Sequence, residues 1–92
     1  MIIIDCSDYG PVAPWIETAE SLSGYLDFAQ HMIDTHDPAW LNNWVERWTM
    51  SLAWASVRET PVGEDWYSRC MLLQAVEGLL GRRSPKCQVI SY

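Results

Sequence analysis

A mainly α fold, a compact three-helix domain with short N- and C-terminal β-strands placed to pair, is what this sequence predicts. Three observations carry that prediction. Apolar residues recur at three- and four-residue spacing through three stretches, Pro- and Gly-containing junctions separate those stretches, and β-branched residues gather at the two ends. The length agrees: 92 residues, 49% hydrophobic and 20% charged, amount to one globular domain spanning residues 1–92. Size scaling gives a folded surface of about 5,500 Å² against roughly 15,000 Å² unfolded, enough burial for one modest core. A collagen, a low-complexity linker, a two-domain enzyme and a solenoid are excluded.

Residues 1–6 hold the run Ile2, Ile3, Ile4 and read as a strand. Residues 7–14, with Gly10, Pro11 and Pro14, have the punctuation of a loop. Trp15, Ala19, Leu22, Leu26, Ala29 and Ile33 then follow a 4-3-4-3-4 spacing. Ser23 and Gly24 weaken the middle of that stripe, and Thr18 or Ser21 suits its cap, so the first helix is placed over residues 18–35.

Asp37 is a good N-cap, and Pro38 fits the first helical position, where a missing N–H costs nothing. The second helix is expected over residues 38–58, ending before Thr60 and Pro61. Trp40, Leu41, Trp44, Val45, Trp48, Leu52 and Ala55 fall within an arc of about 140° on it, with Trp54 beside them. Met50, Ala53 and Val57 interrupt the opposite side, so this helix is expected to be central and partly covered on both faces. Glu64 and Asp65 suit the positive end of a third helix over residues 64–81. Gly81 is its expected left-handed terminator, with Arg82 and Arg83 beyond it. After Ser84 and Pro85, residues 86–92 have strand character.

The aromatic spacing suggests a resemblance. Trp40-x-Asn42, Val45-Glu46-x-Trp48 and Leu52-Ala53-Trp54 resemble the central signature of a family of small bacterial and phage domains of unknown function. Thr18 to Leu26 is similar to that family's opening helix, and Trp66 with Leu72-Leu73-x-Ala75-x-Glu77 to its closing helix. The likeness covers about residues 17–80 and departs at Gly78, where the family pattern has an aromatic residue. It implies a helical domain and no activity.

Chemistry is sparse. The sequence contains no G-x-S-x-G, P-loop, G-x-G-x-x-G or H-E-x-x-H motif, so neither catalytic residues nor a cofactor are expected. His31, Asp34 and His36 are the one set that a metal-dependent enzyme would use, but a polar helix end is the simpler explanation, and no metal site is assigned. Cys6, Cys70 and Cys87 are an odd number without CxxC spacing, which points to reduced thiols and a cytoplasmic protein. Cys70, among Met71, Leu72 and Leu73, reads as a small buried hydrophobe. Residues 1–6 lack a basic flank for a leader, and no apolar stretch is long enough to span a membrane. Glu77 falls inside the apolar arc of the third helix, so it should be a buried polar group bonded to a Trp indole N–H or to an Arg such as Arg47 or Arg58.

Charge carries the functional expectation. The net charge is −6, and residues 1–46 hold eight carboxylates with no Lys or Arg. Residues 47–92 hold four carboxylates and six basic residues. Ordinary soluble helices interleave the signs. Glu20, Asp27 and Asp34 recur every seven residues, with Glu17 and Asp37 at the ends of the row. Such a row repels nucleic acid and anionic membranes and attracts basic protein surfaces. The expected function is therefore non-enzymatic inhibition or neutralisation of a basic nucleic-acid-handling or nuclease protein. Phage anti-defence proteins of the anti-CRISPR kind and immunity proteins fit that description. The alternative is a structural or assembly module that forms a homodimer through a Trp face, with Trp40 and Trp54 as the interface candidates.

Overall fold

In a computed structural model of the chain, which describes residues 1–58, 61–82 and 87–89, the Ile run forms a strand, Ile2–Ile4 (β1). Ile2 and Ile4 are buried and Ile3 points to the other face, the alternation a one-sided strand requires. β1 is the middle of a three-stranded antiparallel sheet, between Trp15–Glu17 (β2) and Cys87–Val89 (β3). Ile4 lies opposite Trp15 on one side and Cys87 on the other. The two terminal strands thus pair within one chain. Thr60, Arg83, Ser84, Pro85, Lys86 and residues 90–92 lie outside the described residues.

β2 corrects the placement of Trp15 on the helical stripe. Only three residues separate Pro14 from Thr18, whose extended backbone caps the helix, and so short a strand leaves no readable periodicity. The preceding loop contains a 3-10 turn, Ser7–Tyr9, started by a 2.9 Å bond from the Ser7 N–H to the Asp5 carboxylate.

The first helix is Ala19–Thr35 (α1), with the Thr18 hydroxyl accepting from the Ser21 N–H at 3.1 Å. The second is Pro38–Arg58 (α2), where Asp37 accepts from the Trp40 N–H at 2.7 Å. The third is Glu64–Leu79 (α3). It ends on Gly81 at φ 79, with the Gly81 N–H bonded to the Gly78 carbonyl and the Arg82 N–H to that of Glu77. That is the paired closure a left-handed glycine permits.

The central helix is α3, not α2. It packs against both α1 and α2, and nine of its sixteen residues are buried, over most of its circumference. Leu73, Val76 and Cys70 make its apolar faces, while Tyr67, Gln74 and Glu77 meet the N-terminal segment through polar contacts. α2 buries one face only: Leu41, Trp44, Val45 and Leu52 point inward, whereas Met50 and Val57 are about three-quarters exposed. The expected cover on its second face is absent among the described residues. The 3-10 turn packs on α2 at Ser56, where Gly10 comes so close that a Cβ would collide with the serine side chain.

Candidate protein-binding surface

The core face of α1 is set by Ala29 and Met32, with Leu22, Leu26 and Ile33 partly buried. Opposite it, Glu20, Asp27 and Asp34 are all exposed. A seven-residue step is about 10.5 Å along a helix, so the three carboxylates form a row about 21 Å long. Asp34 accepts a 2.9 Å bond from the Gln30 amide one turn back. No Lys or Arg stands on α1.

Glu17 and Asp37 sit at the two ends of α1 and carry structure as well as charge. Glu17 accepts from the Trp15 indole N–H at 3.2 Å and from the Thr18 N–H at 3.0 Å, fixing the corner between β2 and α1. Asp37 caps α2. Immediately before it, the His36 ring stacks on Trp40 at 3.6 Å between centroids and 11° between planes.

Beside the row lies an open apolar groove of about 410 Å³ between α1 and α3, lined by Ser21, Gly24, Tyr25, Phe28 and Leu72. Phe28 is 55% exposed. The linear sequence did not single it out, because it lies off the core stripe, and Gly24 reads there only as a weak point of the helix. Their adjacency to a groove depends on Leu72 arriving from α3.

The tryptophans divide by position. Trp66 is buried and its indole donates to the Leu52 carbonyl at 2.8 Å, and Trp44 packs on Trp48 at 4.4 Å between centroids. Trp15 stacks on Tyr67 at 4.6 Å. Trp40 is rim-exposed, and Trp54, 64% exposed, lies under the Arg58 guanidinium at 4.8 Å. Trp40 and Trp54 are fourteen residues apart on one helix, about 21 Å, so they do not form one patch. Met50, Trp54 and Val57 do, at i, i+4 and i+7.

Glu77 is buried, and the Tyr9 hydroxyl donates to its carboxylate at 2.8 Å, a bond the helical wheel does not anticipate. The bond forms because α3 turns this side to the 3-10 turn that carries Tyr9. Cys6 and Cys70 are buried beside the Gln74 amide, whereas Cys87 is exposed. The hydrogen bond with Cys70, then burial, holds the Cys6 thiol far above its ordinary range, so it stays protonated and unreactive.

His31, Asp34 and His36 do not assemble. Among the described residues, no three His, Cys, Asp or Glu side chains stand together as a metal site. No helix of the described residues is long and apolar enough to cross a membrane. No protein-family model, curated protein or solved structure matches this chain, so its surface chemistry carries the functional argument.

Proposed function

We propose that this protein works by binding: the acidic face of α1 docks on the basic surface of a nucleic-acid-handling or nuclease protein and blocks it. The observation that carries this reading is the exposed row Glu20, Asp27 and Asp34, in a 46-residue segment without one Lys or Arg. Its spacing of about 10.5 Å is close to the axial rise of three phosphates of one DNA strand, about 10 Å, so the row offers a phosphate-binding groove charge at a familiar interval. Inhibition by such a decoy requires no catalytic group and no cofactor. On this reading the protein meets its target in the cytoplasm, and its acidic face is expected to repel nucleic acid itself.

Electrostatic steering makes association fast at low salt and slower as salt screens the charges. Replacing Glu20, Asp27 and Asp34 together by Gln, Asn and Asn should slow association with the target at least about tenfold at low ionic strength. Unchanged affinity in that variant would show the row to be only a solvated face.

One observation favours a second reading, self-assembly through α2. The Met50–Trp54–Val57 stripe is an exposed apolar seam of the kind a homodimer covers. That reading expects a dimer whose mass is insensitive to salt and which Trp54→Ala converts to monomer, measured by sedimentation.

A further inference from the structure

The groove beside the acidic row supplies a second half to the surface. We infer that it receives a single apolar side chain of the partner, carried on a cationic segment whose Lys or Arg residues reach Glu20 and Asp27. This inference rests on the binding reading above and specifies the partner's chemistry.

Gly24 is the key position. With no Cβ, it leaves the wall of α1 low, and an added Cβ there would meet nothing within 4 Å. Tyr25 and Phe28 on α1 and Leu72 on α3 line the space with hydrocarbon. Phe28 leaves more than half its surface in water, a cost that an incoming apolar group removes. Glu20 lies four residues before Gly24 and Asp27 three after it, so both carboxylates neighbour the opening on the same strip of helix.

Charge complementarity selects the occupant. An acidic segment is repelled by the two flanking carboxylates. A neutral apolar segment would desolvate them without compensation. An apolar residue with a cation on either side satisfies both demands, giving a buried anchor inside a charged rim.

The test uses two fluorescein-labelled helical peptides of Lys and Ala, one with a central Phe and one with Ala in its place. Their binding is read by anisotropy at low salt. The full-length protein should bind the Phe peptide at least about tenfold more tightly than the Ala peptide. Gly24→Leu fills the groove with a better helix former, so it should raise the melting temperature and still abolish the preference for Phe. The triple neutral variant of Glu20, Asp27 and Asp34 should weaken both peptides. Equal binding of the two peptides, or an undiminished Phe preference in Gly24→Leu, overturns the groove and leaves the acidic row standing. If neither peptide binds the unmodified protein, the acidic-face reading falls and this inference with it. If the protein is an oligomer at low salt that Gly24→Leu makes monomeric, a second copy fills the groove and the inference is overturned.

Discussion

At the scale of single residues, the molecule is held by polar groups that its sequence marks only in part. Glu77 was legible as buried, because a carboxylate inside an apolar arc has nowhere else to go. Its bond to Tyr9, 68 residues away, was not, since no local pattern links a loop tyrosine to a helix glutamate. Glu77→Gln keeps an acceptor for the Tyr9 hydroxyl and should cost about 1 kcal/mol, whereas Glu77→Leu removes that acceptor and should cost about 2–3 kcal/mol. Equal loss of thermal stability in the two variants would contradict the hydrogen-bonding role. Cys6 and Tyr67 set the alkaline behaviour. The Cys6 thiol is raised by its bond with Cys70 and by burial, and the Tyr67 phenol is raised first by burial and then by the two thiols. Below the ordinary thiol value of 9.0, both groups are protonated whether the chain is folded or not. Above 9.0, and again above the phenol value of 10.0, the unfolded chain releases protons that the folded chain keeps. Stability should therefore fall as pH rises past 9.0, and Cys6→Ala should flatten the first part of that fall. Melting temperatures that stay constant from neutral pH to well above 10.0 would contradict this.

Among elements, those with local stop and start signals were readable and those defined by their neighbours were not. Thr18, the Asp37–Pro38 pair and Gly81 obey rules that act within one turn, so the three helices lie where those residues put them. β2 escaped notice because its three residues become a strand only by pairing with β1. The centre was misplaced for a related reason. α2 has the more periodic apolar pattern, a mark of a helix with one buried face, whereas α3 is buried over most of its circumference and so shows little periodicity. Its buried Tyr67 and Gln74 donate to the carbonyls of Ala13 and Asp5, tying the N-terminal segment to the core. Gly10 governs the docking of that segment on α2. Its φ of 156 and its approach to Ser56 both exclude a side chain, and the Ser56 hydroxyl bonds the Ala53 carbonyl at 2.9 Å. Gly10→Ala should destabilise the fold by about 1–3 kcal/mol in urea unfolding. A loss below a few tenths would show that the turn moves away freely.

For the whole molecule, the asymmetry of charge along the chain becomes an asymmetry of surface. α1 and α2 pack on the same central helix, one presenting carboxylates without cations and the other presenting Arg47, Trp54 and Arg58. The acidic row was visible in the sequence because a seven-residue repeat needs only a helix to become a face. The groove was not visible, since half of it comes from Leu72 on another element. In the proposed binding mode the row would set attraction and its salt dependence, while the groove would set which basic surface fits. The most direct test of the acidic-face account is affinity recovery of the tagged protein from a nuclease-treated bacterial lysate containing its natural target, beside the triple neutral variant of Glu20, Asp27 and Asp34. A basic nucleic-acid-processing protein that is retained at low salt, released as salt rises and lost from the variant is the expected result. Retention of the same protein by the variant, unaffected by salt, would contradict the account.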